Sequence, residues 1–222
     1  MEIKQYISQN QCSYFNTKTQ INIFFTVPKL NPAIYEMLIN KGYRRSGIIF
    51  YKNICPDCNG CMPIRVSTQN FSPSNSQKRV FKKNQNIKIV CENVKFDEEA
   101  FELYKKYCNY RHSSEKDKSV YIEFLIKSPI ITQMMRYYVD EKLVGTGWID
   151  ILPDSVSSVY FIFDPDYSKR SLGVFSVLKE IELAKKLNKS WLQLGFWIHD
   201  NQKMSYKNLY KPHQLLINDV WQ

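Results

Sequence analysis

The sequence predicts an α+β (mixed α/β) fold, because helical patterns with one apolar face alternate along the chain with short apolar runs typical of strands. Its 222 residues are 44% hydrophobic and 14% aromatic, which is ample for a packed core. With only 7 glycines and 9 prolines, the chain does not have the composition of a low-complexity protein. These observations indicate a globular chain of one large domain or two small ones.

The first half alternates between strands and helices with clear ends. A strand is predicted at 20–27, followed by a helix with Asn31 as its N-cap, Pro32 at its first position and Gly42 as its stop. The residues expected on the buried face of that helix are Ile34, Leu38 and Ile39. The elements predicted next are a strand at 47–52, a strand at 62–67, a turn at 70–75 and a helix at 76–84.

The second half begins with a helix from Asp97, a good N-cap that is followed by two acidic residues in the first turn. The later elements are predicted as a helix at 119–126, a hairpin of strands at 133–139 and 142–151, a strand at 157–163, a helix from about 173 to 187, a strand at 191–198 and a basic polar end. We place a boundary between residues 86 and 93. It divides an N-terminal lobe with the cysteines (1–90) from a second domain (91–222).

Positive charge is concentrated in one stretch of a chain whose net charge is +10. Between residues 44 and 86, Asp57 is the one acid, against the cations Arg44, Arg45, Lys52, Arg65, Lys78, Arg79, Lys82 and Lys83. Such a basic field suits a polyanionic partner such as a nucleic acid. The first eleven residues show no signal-peptide pattern, and no stretch approaches the ~20 apolar residues of a membrane span. We therefore expect a cytoplasmic protein with no membrane partner.

Three thiols lie within seven residues, at Cys55, Cys58 and Cys61. Cysteines in the cytosol stay reduced, so closely spaced thiols indicate a metal site more than disulfides. Soft thiolates suit zinc or an iron-sulfur cluster, and Cys12 is the candidate fourth ligand. The alternative is a redox-sensitive loop whose thiols bind no metal.

The element order of the second half resembles the acyltransferase fold of the Gcn5-related N-acetyltransferases. In that fold a loop leading into a helix presents backbone N–H groups to phosphates. Here the loop at 168–173 adds the cations Lys169 and Arg170. Motifs of serine hydrolases, zinc proteases and P-loop enzymes do not occur in the sequence.

Seven motifs, taken in order, resemble the arginyl-tRNA-protein transferase family, and the compact length is similar to its bacterial branch, the aspartate/glutamate leucyltransferases. The motifs are Tyr43-Arg44-Arg45-Ser46-Gly47, the Cys55 to Arg65 stretch, Ser76-Gln77-Lys78-Arg79, Phe163-Asp164-Pro165-Asp166, Arg170-Ser171-Leu172-Gly173, Leu194-Gly195-Phe196-Trp197-Ile198 and Lys203-Met204-Ser205-Tyr206-Lys207. They extend from about Cys12 to Pro212.

The resemblance implies transfer of an aminoacyl group from tRNA to the α-amine of a protein that begins with Asp or Glu. The compact length favours leucine as the transferred amino acid, and arginine is the alternative. The product would enter N-degron proteolysis. Chemically this is aminolysis of an activated ester, which requires no cofactor. An α-amine with a pKa of ~8 is partly neutral at cellular pH, so positioning can supply much of the acceleration.

The resemblance also implies roles for individual residues. Substrate-binding candidates are Arg65, Lys78 and Arg79, for the acidic side chain of the acceptor, and Arg44 and Arg45, for the tRNA. Further tRNA-binding candidates are Lys169, Arg170, the N–H groups near Gly173, Lys203 and Lys207. Asp164 and Asp166 are catalytic candidates that could orient the amine, although the same Asp-Pro-Asp sequence is typical of a turn that ends a strand.

Two readings from other functional classes stay open on the sequence alone. A non-enzymatic RNA-binding module with a metal knuckle would account for the charge and the cysteines. An acetyl-CoA N-acetyltransferase would account for the element order of the second half, and it would bind coenzyme A.

Overall fold

A computed structural model describes residues 4–112 and 117–222 as a mixed fold of helices and strands. The strands are β1 (Tyr6–Gln11), β2 (Thr19–Thr26), β3 (Arg44–Ser46), β4 (Ile49–Asn53), β5 (Met62–Ser67), β6 (Lys88–Asn93), β7 (Thr132–Val139), β8 (Lys142–Ile151), β9 (Ser155–Phe163), β10 (Trp191–Trp197), β11 (His213–Ile217) and β12 (Val220–Trp221). The helices are α1 (Pro32–Asn40), α2 (Asn75–Lys83), α3 (Glu98–His112), α4 (Lys118–Tyr121, continued by a π-helix at Ile122–Ile126), α5 (Leu172–Lys186) and α6 (Gln202–Ser205), with 3-10 helices at Pro165–Arg170 and Tyr206–Leu209.

The larger sheet has eight strands in the order β12-β11-β5-β10-β9-β8-β7-β6. Its neighbours are antiparallel except β9 and β10, which run parallel. That parallel pairing covers only Ser155 to Ser157 against Trp191 to Gln193. Beyond these residues the two strands no longer pair, so a cleft opens in the middle of the sheet.

Helices cover both faces of this sheet. On one face, α5 packs against β9 and β10, and residues such as Phe175, Leu178 and Ile181 form the largest apolar cluster. On the other face, α3 and α4 pack against β8 and β9 around the fully buried Trp148. Successive side chains along each strand point to opposite faces of the sheet, so the same strands contribute residues to both clusters.

The smaller sheet, β1-β2-β4-β3, carries α1 on the apolar cluster of Phe25, Tyr35 and Phe50. Arg45 of β3 joins it to the larger sheet through a buried ion pair with Asp150 of β8. The two N–H···O distances of this pair are 2.6 and 2.5 Å. A buried charge pair with this bidentate geometry fixes the orientation of β3.

Local signals predicted the helices well. Asn31 caps α1 by accepting from the backbone N–H of Ala33, and Ser74 and Gln77 form a capping box at the start of α2. The predicted hairpin turn at Asp140 and Glu141 is confirmed, since both have positive φ angles.

Other predictions were wrong. Ile39 is buried as predicted, but Ile34 is 46% exposed, because Tyr35 rather than Ile34 lies on the buried face of α1. Gly47 lies in a turn with φ +57°, so the strand begins at Ile49. The segment expected to be an irregular polar end contains β11 and β12.

The division of the chain at residue 90 stays a prediction. Both β5, which precedes that position, and β6, which spans it, lie in the eight-stranded sheet with the strands of the second half. Within the described residues, no helix combines the length and the apolar character needed to cross a membrane.

Candidate active site

The cleft between β9 and β10 is the candidate active site, because unpaired strand edges and buried charged groups meet there. Two irregularities shape it. The pairing of β8 with β9 shifts register between Trp148 and Ile149, and that of β10 with β5 shifts between Gln193 and Gly195. Such bulges re-aim neighbouring backbone and side chains.

Arg44 reaches this cleft from the smaller sheet. Its Nη2 donates to the carbonyl oxygen of Ser158 at 2.8 Å, just past the last paired residue of β9. A Cβ at Gly195 would lie only 3.4 Å from Nη2, and Gly195 has φ +81°. Glycine is therefore favoured here for its backbone conformation, since a Cβ would make only ordinary van der Waals contact with Arg44.

Arg45, the neighbouring substrate-binding candidate, is buried away from the cleft. Burial by itself lowers the pKa of Arg45, but the charge and hydrogen bonds of Asp150 outweigh burial and raise that pKa above its usual value. Its Nη2 also donates to Thr132. These contacts give Arg45 a structural role in joining the two sheets.

Lys207 lies on the β10 side of the cleft. Its Nζ donates to the carbonyl oxygen of Phe196 at 2.9 Å. Burial, and then repulsion by Arg44, lower the pKa of Lys207 to about 7. Lys203 differs from it, because its side chain is exposed and only its backbone N–H is engaged, by Asn201. The two predicted tRNA-binding lysines of this segment therefore occupy different environments.

Glu180 is a buried acid that the sequence interpretation missed. The residue has no exposed surface, and neither carboxylate oxygen has a hydrogen-bond partner among the described residues. Burial raises the pKa of Glu180 to about 8, and the nearby Ser158 side chain, which does not reach hydrogen-bond geometry, offsets only part of this effect. A signal was available, since Glu180 lies on the apolar stripe of α5, three residues after Val177 and four before Ala184.

The N-terminus of α5 lies beyond the end of β9 and carries a basic rim, which we define as Lys82, Lys83, Lys169 and Arg170. The end of α2 fixes this loop: Lys83 Nζ donates to the carbonyl oxygen of Lys169 at 2.6 Å, and Asn84 Nδ2 donates to that of Arg170 at 2.9 Å. A Cβ at Gly173 would meet nothing within 4 Å. The side-chain position of Gly173 is therefore open, and anion binding at this turn stays a prediction.

Arg65 and the pair Lys78 and Arg79 are not brought together. Arg65 is stacked between Trp191 and Trp221, with Cζ 3.9 and 4.3 Å from the ring centroids, and donates to Gln214. Its neighbours Ile64 and Val66 join the apolar cluster on the α5 face, so Arg65 points to the opposite face. Lys78 and Arg79 are exposed on α2, which packs against α5.

Asp164 and Asp166 lie at the turn that follows β9. Asp164 accepts from Lys106 at 2.6 Å and from Lys142 at 2.9 Å, and it caps the 3-10 helix through the N–H of Asp166. Although burial opposes ionisation, hydrogen bonds from these two lysines lower the pKa of Asp164. The contacts account for Asp164 as part of the turn, and its catalytic assignment stays a prediction.

The four predicted cysteine ligands line one cavity of about 340 Å³ between the smaller sheet and β11. Burial, and to a lesser extent the other three thiols, raise the pKa of Cys61 to about 11, although Asn53 opposes this. Backbone N–H groups approach Cys12 and Cys55, and Lys18 approaches Cys58. Four thiols are a suitable donor set for a soft metal. Among the described residues, however, no three His, Cys, Asp or Glu side chains are arranged closely enough to hold a metal ion, so the metal site stays a prediction.

The fold is similar to that of a solved protein. The crystal structure of FemX superposes with a TM-score of 0.50 over 90% of this chain and 82% of that chain, at 7% sequence identity. At this identity the likeness concerns the fold alone.

Sequence comparisons identify the family. Models of arginine-tRNA-protein transferase match the chain at residues 10–79 for the N terminus and 99–217 for the C terminus. The aspartate/glutamate leucyltransferase of Aeromonas hydrophila is 36% identical, with 96% of this chain and 91% of the relative covered. The enzyme of that name from Shewanella oneidensis is 38% identical, with 95% and 90% covered. This chain therefore belongs to the arginine-tRNA-protein transferase family.

Proposed function

We propose that this chain transfers leucine from leucyl-tRNA to the N-terminal amine of proteins that begin with Asp or Glu. The names of its relatives support the donor and the acceptor class. The observation that carries the proposal is the cleft between β9 and β10, which places Arg44, Lys207 and the open first turn of α5 around one opening in the sheet.

The acceptor end of the tRNA would bind at the first turn of α5. There the N–H groups near Gly173 and the positive end of the helix dipole face an anion, and the basic rim adds four positive charges. Glu180 lies seven residues beyond Gly173, about 10 Å along the helix axis. Glu180 lies near Ser158, whose carbonyl oxygen accepts from Arg44, and Arg44 in turn lies near Lys207. A terminal nucleotide held by its phosphate at Gly173 would therefore extend its ester along α5 toward these two residues.

The acidic residue of the acceptor protein needs a cation in reach of the cleft. Lys78 and Arg79 are exposed on α2, on the same side of the sheet as α5, and we assign them this role. Arg79 can hold a carboxylate with two parallel hydrogen bonds. Arg65 is held by two tryptophans, Gln214 and Asn40, and would act on the acceptor only after leaving these partners.

Aminolysis of an aminoacyl ester requires no metal. If the cysteine cavity does bind zinc or an iron-sulfur cluster, its ligands would be Cys12, Cys55, Cys58 and Cys61, which lie around one space. The group would then hold the smaller sheet together, and the reaction would use the cleft residues.

The first test is a transfer assay with purified protein, tRNA charged with labelled leucine or labelled arginine, and peptides beginning with Asp, Glu or Ala. We expect leucine on the Asp and Glu peptides and none on the Ala peptide. Transfer of arginine instead would support the same reaction but with arginyl-tRNA, not leucyl-tRNA, as the donor.

A protein that is folded but transfers neither amino acid would contradict the proposal. It would favour the RNA-binding module, which accounts for the charge and the cysteines but not for the cleft. Arg79→Ala separates these readings as well, because transfer to Asp peptides should fall at least about tenfold while tRNA binding changes little.

A further inference from the structure

Lys207 combines three features that a residue which only binds tRNA would not need. Its Nζ donates at 2.9 Å to the carbonyl oxygen of Phe196, a residue of β10 beyond the last one paired with β9. Its side chain is partly rather than fully exposed, in a sequence segment whose other lysine, Lys203, faces solvent. No carboxylate lies within ion-pair distance of Lys207 in the described residues, whereas Arg45 and Lys106 each pair with an aspartate.

The surroundings of Lys207 disfavour its charged form. Burial has the largest effect, Arg44 of β3 is the charged group that acts on Lys207 directly, and β10 contributes the Phe196 carbonyl. Glu180 of α5, and Tyr107 and Arg111 of α3, lie near the adjacent Tyr206 instead. An ammonium group beside a fixed guanidinium and without a carboxylate loses its proton readily. The lowered pKa of about 7 agrees with this arrangement.

From this geometry we propose that Lys207 is the proton acceptor and donor of the transfer reaction, an inference that rests on the function proposed above. The neutral α-amine of the acceptor protein attacks the carbonyl carbon of the ester, and a C–N bond forms. The nitrogen, now positively charged, gives one proton to the neutral Lys207 amine. The C–O bond to the ribose then breaks, and the leaving oxygen takes its electron pair together with the proton from Lys207. The lysine is neutral again, and the products are an amide and a free ribose hydroxyl.

A group with a pKa near the working pH serves both steps of such a shuttle. Arg44, which cannot give up its proton, does not compete for this role and can stabilise the negative oxygen of the tetrahedral intermediate. The competing explanation is that Lys207 only clamps β10 through the Phe196 carbonyl.

The test compares wild type with Lys207→Arg, which keeps a positive charge and a donor for Phe196 but cannot act as a base. We would measure kcat/KM for transfer of leucine to a peptide beginning with Asp, between pH 6 and 8.5. General acid-base catalysis contributes about 100-fold or more, so the variant should lose at least about that much at pH 7.5. The matched control is Lys211→Met, an exposed lysine four residues on, which should stay within about twofold of wild type.

The ratio of wild-type to Lys207→Arg activity gives the decisive readout. Ionisation of the acceptor amine affects both proteins equally and cancels in that ratio. If Lys207 must be neutral, the ratio is level above pH 7 and falls about tenfold per pH unit below it. A ratio that does not change with pH, or a variant within about threefold of wild type, would refute the proposal. The remaining explanation would then be that Lys207 only holds β10 through the Phe196 carbonyl.

A second variant keeps the test independent of packing. In Lys207→Ala, added methylamine should restore formation of the leucylated peptide, and the restored rate should rise with the amine concentration. Failure of rescue in a folded variant would count against a proton-transfer role. If wild type itself transfers neither leucine nor arginine, the proposed function fails instead, so the two failures are distinguishable.

Discussion

At the residue scale, Glu180 links the burial of a single carboxyl group to the pH dependence of stability. Its pKa is about 8 in the folded chain and 4.5 as the ordinary value. Between these values the folded state holds a proton that the unfolded state has lost. Stability therefore falls as pH rises through that window, by at most about 1.4 kcal/mol per pH unit from this group.

Glu180→Gln removes this titration. We expect the variant to gain free energy of unfolding relative to wild type, with a gain that grows from pH 5 to pH 8 and then levels off. Urea unfolding at several pH values measures it. Lys207 titrates in both proteins, so its contribution cancels. The control is Glu182→Gln, an exposed neighbour on α5, which should show no such trend. Parallel stability profiles for wild type and Glu180→Gln would contradict this prediction, because they would show that folding does not raise the pKa of Glu180.

Residue types alone could not separate Lys203 from Lys207, or Arg44 from Arg45. Each pair belongs to one motif and was predicted to bind the same substrate. Arg44 and Lys207 reach the cleft, while Arg45 is neutralised by Asp150 and Lys203 stays in solvent. The partners that decide this are distant in sequence, as Arg45 and Asp150 are, 105 positions apart. Burial and ion pairing between residues so far apart in sequence depend on the tertiary structure, and a local sequence pattern does not predict them.

At the element scale, helices and strands differ in how much of them the sequence determines locally. The starts of α1 and α2 are set by caps within three residues. The Asn31 cap of α1 was predicted, whereas α2 was predicted one residue late and without its Ser74 cap. The strands β1 and β11 were missed, because β1 is a mostly polar edge strand and β11 is held by pairing with β5, about 150 residues earlier. The cleft could not be predicted from the sequence for the same reason, since it depends on where β9 and β10 cease to pair.

The start of α5 gives a prediction for an element. Gly173→Val should fold normally, because a Cβ at this position meets nothing within 4 Å. Its side chain would occupy the space over the first N–H groups of the helix, so the affinity for leucyl-tRNA should fall about tenfold or more. Filter binding measures the affinity, and thermal unfolding measures the fold.

Gly173→Ala, with a smaller side chain, should weaken binding less than the valine variant. Binding that is unchanged in both variants would show that the phosphate does not approach this helix end.

At the scale of the whole molecule, both the net charge of +10 and the docking of the smaller sheet on the larger one affect how tRNA is expected to bind. Arg44 crosses from the smaller sheet to the cleft in the larger one, so the cleft is complete only when the two sheets are joined. The basic rim adds an anion-binding surface where the end of α2 meets the start of α5. The position of the charge, more than its total, is therefore expected to decide how tRNA binds.

Salt dependence tests that expectation for the molecule as a whole. Each lysine that contacts a phosphate contributes about 0.7 to 0.9 to the slope of log affinity against log salt concentration. Replacing Lys82 and Lys169 of the basic rim together by Ser should lower the slope for tRNA by about one to two. The matched pair is Lys186, at the other end of α5, and Lys41, at the end of α1; both are exposed, and their replacement should leave the slope almost unchanged. Because both double variants remove two positive charges, total charge is the same in the two proteins. Equal slopes would mean that tRNA responds to the net charge of the chain, whereas a smaller slope confined to the rim variant places the phosphates at the start of α5.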